Sequence, residues 1–180
     1  EILNGWNSPE AQLAEQALSS GHVEALINIW ENDNNSRSRP EKSVWNLYLL
    51  AQSPREMALT FWLRINEKKH LFAGEDYFLS ILGLDTLPGL LLAFSHHPKE
   101  TFPLILNFGA TELALPVARV WRRFAAQRDL ARQWILQWPE HTATALIPLV
   151  FTKPSDNSEA ALLALRLLYE QGHGELLQTV

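Results

Sequence analysis

At 180 residues, 47% of them hydrophobic and 19% charged, the chain is long and apolar enough to bury a sizeable core, which excludes a disordered polymer. Fifteen Lys and Arg against 20 Asp and Glu leave a formal charge of −5, a net field that argues against a dedicated binder of nucleic acid or of anionic membrane. With no cysteine, disulfides and thiolate zinc sites are excluded, and a reducing, cytoplasmic setting is the expectation.

Ser8-Pro9-Glu10 predicts a helix start, with a hydroxyl cap, a proline in the first turn and an acid at the positive end of the dipole. That helix carries Leu13, Ala14, Ala17 and Leu18 and should close at Ser19-Ser20-Gly21, because glycine tolerates the left-handed conformation that ends a helix. Val23 to Trp30 restarts the pattern, which predicts a helical hairpin. Asn32 to Pro40 lacks apolar residues and reads as a surface loop. It is no calcium loop, since the glycine and closing glutamate are missing at the required spacing.

A third helix is expected over Glu41 to Ala51, and a fourth from the cap-and-proline signal Ser53-Pro54-Arg55-Glu56, bearing Met57, Leu59, Phe61, Trp62 and Ile65. After the charged turn Glu67 to His70 come short helices around Tyr77 to Leu82, Leu87 to Phe94 and Lys99 to Phe108, with Asp85 or Thr86 capping one and Pro98 opening another. The apolar run Phe78 to Phe94 is interrupted by Asp85 and Pro88 and falls short of a clean spanning helix of about 20 residues. No membrane anchor is read from it.

The chain is organised around Thr111 to Trp138, where Leu113, Val117, Val120, Trp121, Phe124, Ala131, Trp134, Ile135 and Trp138 follow the three-and-four rhythm of a helix face. The reading is two helices bent near Ala126 to Asp129. Helices from His141 to Val150 and from Glu159 to Glu170 follow, separated by a loop over Thr152 to Asn157, with a restart after Gly172. No alternating strand pattern occurs, so the expected class is all-α. The seven tryptophans sit mostly at apolar-face positions and are read as rings that cement helix pairs.

Two internal similarities predict stacked helical hairpins, an irregular HEAT- or armadillo-like α-α superhelix forming one domain. Gly21-His22-Val23-Glu24-Ala25-Leu26 and Gly172-His173-Gly174-Glu175-Leu176-Leu177 share glycine, histidine, glutamate and leucine in register. Prolines recur inside apolar runs at Leu87-Pro88, Phe102-Pro103, Leu115-Pro116 and Ile147-Pro148, as in the early turns and kinks of such stacks. The competing account is a non-repetitive helical bundle. The chain opens at Glu1 with neither methionine nor a basic-then-apolar leader, from which a segment of a longer protein is expected.

Phosphate-loop, dinucleotide, Gly-x-Ser-x-Gly and His-Glu-x-x-His motifs are all missing, so no catalytic residue, metal or cofactor is nominated. His96 and His97 are neighbours whose side chains leave a helix about 100° apart, the mark of a polar corner rather than of a shared metal. Glu75, Asp76 and Glu100 read as helix-start charges. The local anomaly is Arg119, Arg122, Arg123, Arg128 and Arg132, five of fifteen basic residues within fourteen positions. As function, they could hold a nucleic-acid phosphate or an acidic partner, as a basic HEAT-like surface does. As structure, they form the solvated side of the central helices, paired with Asp129, Glu112 or Glu140, and that reading is preferred.

From Ala131 onward the order Ala131-Arg132, Trp134-Ile135, Trp138-Pro139-Glu140, Ala145-Leu146-Ile147-Pro148-Leu149, Ala160-Ala161-Leu162, Ala164-Leu165-Arg166, Leu168 and Gly172-His173 resembles a segment of the very large bacterial proteins labelled molybdate metabolism regulators. These join helical-repeat stretches to a small WGR module, whose signature does not occur in this stretch. The resemblance implies an α-α superhelix that scaffolds or binds protein partners or other domains of its own chain. The family name points to regulation linked to molybdate, but no oxyanion site is read from these residues, and the loop Thr152 to Glu159 departs from the family's basic character by holding Lys153 with Asp156 and Glu159. The expected function is therefore a non-enzymatic scaffold or interaction segment, with a nucleic-acid module using the arginines as the alternative.

Overall fold

The structure, a computed structural model, describes residues 9–35, 50–51, 53–68 and 75–180. Every regular element among the described residues is helical, so the protein is all-α. The chain divides into two compact units, Glu1–Ala93 and Phe94–Val180. The Ser8 cap, the second part of the expected loop and most of the helix expected over Glu41 to Ala51 lie outside the described residues.

In the first unit, α1 (Pro9–Ser20) and α2 (Val23–Asn35) form the expected hairpin, and α2 also lies against α3 (Arg55–Glu67). Ala14, Ala17, Leu26 and Ile27 are buried. α2 runs on through Asn32 to Asn35, which had been expected as loop. Once Leu26 and Ile27 anchor a helix, polar residues extend it at a cost of only tenths of a kcal/mol each, roughly. The start of α3 also differs from expectation. Pro54 occupies the cap position, while the Ser53 hydroxyl donates backwards to the Leu50 carbonyl at 2.7 Å.

α3 buries Met57, Ala58, Phe61, Trp62 and Ile65. The Trp62 indole N–H donates to the Thr86 carbonyl at 2.9 Å, at the end of the 3-10 turn Gly83–Thr86 that links α4 (Glu75–Leu82) to α5 (Leu87–His96). Its ring lies 5.2 Å from that of Phe78 and so close over Gly89 that a β-carbon there would come within 2.4 Å of the indole. Asp85 and Thr86, of which one or the other was expected as a cap, both bond at this turn. Arg55 Nε donates to Asp85 at 2.8 Å, and the Thr86 hydroxyl donates to the Gly83 carbonyl at 2.6 Å.

The stretch Glu75–His96, at 22 residues, is long and apolar enough to cross a membrane by length and composition alone. Here it is divided by the 3-10 turn, with Gly83 at φ 59°. Phe78, Leu79, Leu82, Leu90 and Ala93 are buried, and Asp85 is ion-paired to Arg55. In this setting its apolar residues serve a protein core.

The second unit contains α6 (Pro98–Ile105), α7 (Thr111–Arg123), α8 (Arg128–Gln137), α9 (Pro139–Val150), α10 (Asp156–Glu170) and α11 (Gly174–Thr179). α7 touches α8, α9 and α10, so the predicted organising stretch is the hub of this unit. The bend comes slightly earlier than expected: Phe124 adopts an extended backbone and a 3-10 turn covers Ala125–Gln127. Ala114, Ala118, Ala131, Ala143, Ala160, Ala161 and Ala164 are wholly buried, and side chains this small let the helices approach closely around Leu113, Val117, Trp134, Ile135 and Leu146. α10 begins at Asp156 rather than Glu159 because Ser155 and Ser158 form a reciprocal cap, Ser155 Oγ accepting from Ser158 N–H at 3.2 Å and Ser158 Oγ from Ser155 N–H at 2.8 Å.

The indoles of α8 and its C-terminal neighbour tie down the connection from α6 to α7. Trp134, fully buried, donates to the carbonyls of Ile105 and Phe108 at 3.1 and 3.0 Å, and Trp138 donates to that of Leu106 at 3.1 Å. The carbonyls of Ile105 and Leu106 lie at the end of α6, where the helical i+4 donor is lost; that of Ile105 also accepts from the Phe108 N–H at 2.9 Å. Trp138 lies directly over Gly109, where a β-carbon would approach it to 2.4 Å. The reading of tryptophans as cement between elements thus holds for Trp62, Trp134 and Trp138.

Candidate functional site

The five arginines singled out in the sequence do not form one surface. Arg119, Arg122 and Arg123 sit on α7 at positions i, i+3 and i+4, which places them on one helix face, and that face meets the first turn of α10. Arg119 donates from Nε and Nη2 to Asn157 Oδ1 at 2.9 and 2.7 Å. Arg122 spans two carboxylates, Asp156 through Nη1 and Glu159 through Nη2, while Arg123 takes the second oxygen of Asp156. The Arg122 side chain is 28% exposed, so it belongs to the contact between α7 and α10 rather than to a solvated face.

The expected partners Asp129, Glu112 and Glu140 are therefore replaced by Asp156 and Glu159. Glu112 instead accepts from the Thr111 hydroxyl at 3.1 Å. The reason lies in the packing: α10 crosses α7 with its N-terminal turn beside the arginines, and tertiary proximity outweighs neighbourhood in sequence. Acids in a first turn also suit the positive end of the α10 dipole. The hydrogen bond from Arg123 holds the Asp156 carboxyl below the ordinary aspartate range, with Arg122 adding to the effect and desolvation opposing it.

Arg128 and Arg132 lie apart from this clasp. Arg128 returns to α7, donating to the Trp121 carbonyl at 3.3 Å and standing 5.9 Å from the Trp121 ring centroid, a cation–π distance. Arg132 donates to Gln171 Oε1 at 3.0 Å, at the end of α10. All five guanidinium groups thus have partners within the protein.

His96 ends α5 and His97 precedes α6, with ring centroids 6.5 Å apart, as a helix corner requires. Among the described residues no group of three His, Cys, Asp or Glu side chains gathers as a metal site. Asp156, Asn157 and Glu159, the partners of the arginine face, were not nominated from the sequence. The available signal was the acidic content of the turn after Pro154, which pointed to charge but not to where it would go.

The two Gly-His corners share one geometry. Gly21 and Gly172 have φ of 72° and 92°. The amide of Gly21 donates to Leu18 and that of His22 to Ala17, as Gly172 donates to Tyr169 and His173 to Leu168. This is a Schellman closure at both places. The histidine carbonyl then accepts from the fourth residue onward, Leu26 in one corner and Leu177 in the other, so each histidine ends one helix and starts the next.

Over all of its 180 residues the chain is 94% identical to part of the uncharacterized protein YehI of Escherichia coli strain K12. It spans 15% of the length of that protein. No protein-family model matches the chain, and no solved structure does.

Proposed function

We propose that this segment is a non-enzymatic stack of helical hairpins, an irregular HEAT- or armadillo-like α-α superhelix, that scaffolds or binds protein within a larger cytoplasmic bacterial protein. The observation that carries the reading is the repeated corner: the same glycine and histidine, in the same Schellman closure, join α1 to α2 and α10 to α11. One helix pair of this kind cannot bury its apolar face alone, so pairs of one design favour stacking of neighbours. The similarity to a much longer uncharacterized protein is consistent with that role. The resemblance of Ala131 to His173 to molybdate metabolism regulators favours a regulatory setting, with partners among proteins or other domains of the same chain.

The alternative, a nucleic-acid module built on Arg119, Arg122, Arg123, Arg128 and Arg132, is the weaker reading. Phosphate would have to compete with Asp156 and Glu159 for Arg122 and Arg123 and with Asn157 for Arg119, inside a chain of net charge −5. Two measurements separate the readings. Affinity capture with the full-length protein should lose one specific partner when this segment is deleted. Duplex or single-stranded DNA should bind more weakly than about 100 μM at roughly 150 mM salt. Tight, salt-sensitive DNA binding that is lost on Arg119, Arg122 and Arg123 substitution would put the alternative first.

A further inference from the structure

The corners are alike but their surroundings are not. In the first, α2 continues for 13 residues, lies against both α1 and α3, and buries Leu26 completely. In the second, α11 touches α10 and α9 but has no fully buried residue, and Leu177, the counterpart of Leu26, is half-buried together with Leu176. The apolar surface continues up the outside of α10. Leu162 and Tyr169 are 55% and 67% exposed, and their spacing with Arg166, at i, i+4 and i+7, sets all three on one face. Tyr169 lies over Gly174, the first residue of α11, where a β-carbon would be 3.4 Å from the ring, so the stripe runs on to the short helix.

A helical array ends in a capping pair whose outer face is polar. The exposed face of α10 is instead mixed, with Leu162, Leu163 and Tyr169 beside Glu159, Arg166 and Glu170, and large exposed apolar side chains grouped on one face mark a contact surface. We infer that the outer face of α10 and the adjoining α11, centred on Leu162, Tyr169 and Leu177, seats a further amphipathic helix of the same polypeptide, outside these 180 residues. That helix does for Leu177 what α3 and α1 do around α2. The ion pair between Arg166 and Glu170, at 2.8 Å, stands within the stripe and gives the incoming helix polar groups of both signs to match. This inference rests on the reading of the segment as part of a longer array. The similarity to a protein of which it spans 15% makes chain outside the segment the occupant with the highest effective concentration.

The test grafts these 180 residues into the long Escherichia coli polypeptide in place of the 94%-identical part. Single cysteines are introduced as Leu162→Cys and Tyr169→Cys, with Lys153→Cys, an exposed position away from the stripe, as the control. Thiol labelling at the two stripe positions should be at least about tenfold slower than at the control, the mark of a covered surface. Equal labelling would overturn the inference. So would protection that vanishes on dilution, which would identify a second copy as the cover. Because a cysteine could disturb the seat, hydrogen exchange on the polypeptide without cysteine substitutions supplies a second reading: amides of residues 174–179 should be protected far beyond the level of a frayed six-residue helix, and fast exchange there would also overturn it. Labelling reports cover of this face, whereas capture reports loss of an outside partner, so failure of one is distinguishable from failure of the other.

Discussion

Replacing Gly21 by alanine tests the corner with a known sign. At φ 72° the backbone is left-handed, and a β-carbon there would meet nothing within 4 Å, so no steric clash contributes. The cost is the conformational penalty alone, about 1–2 kcal/mol for a residue with a β-carbon. Were Gly21 instead inside a regular helix, alanine would stabilise by about 1 kcal/mol, so the two possibilities differ in sign. Thermal unfolding followed by far-ultraviolet circular dichroism resolves the difference. A loss of 1 kcal/mol lowers the melting temperature by about 2–4 °C if all 180 residues unfold together, and by about 4–8 °C if the first unit melts alone. Gly21→Asn should recover part of the loss, because asparagine tolerates the left-handed region better than alanine does. Gly172→Ala, at φ 92°, should show the same direction, muted by fraying of the short helix behind it. An unchanged or raised melting temperature for Gly21→Ala, or asparagine no better than alanine, would refute the argument.

At Gly89 the cost is steric, since alanine would force the buried Trp62 indole to shift or to surrender its bond to Thr86; a loss of about 1–3 kcal/mol is expected by chemical denaturation, and less in a Trp62→Phe background, where the two substitutions should not add. Trp134→Phe removes the donor shared by Ile105 and Phe108 and should lose about 1–3 kcal/mol, with faster amide exchange across residues 105–110; exchange unchanged there would mean that the indole does not hold the connection. The Asp156 carboxyl titrates lower in the folded chain than in the unfolded one, so its stabilisation is complete above the ordinary aspartate value of about 3.9 and fades as pH falls through the depressed folded-state value. The melting difference between wild type and Asp156→Asn should therefore be constant near neutral pH and shrink in acid; a difference that grows in acid would reverse the assignment.

Much of this protein was legible locally. Helical periodicity set the class and located most helices within a few residues, because the 3.6-residue repeat is a property of one segment and needs no partner. The Gly-His corners were legible for the same reason: a Schellman closure depends on residues within a single turn. Where a signal had to reach across the chain, sequence reasoning stopped short. Ser53 looked like a cap and bonds backwards to Leu50, and Asn32 to Asn35 looked like loop and continue α2, since propensity is a weak prior against the pull of an anchored helix.

The clearest case is the arginine face. Periodicity put Arg119, Arg122 and Arg123 on one side of α7, but the acids that meet them, Asp156 and Glu159, lie more than thirty residues further along the chain. Gly89 and Gly109 likewise carry no local signal, and matter because Trp62 and Trp138 come to rest on them. The sequence by itself determined which side of each helix is apolar. Which helix lies on that side is decided by the crossing geometry of several helices at once, and only the tertiary structure contains it.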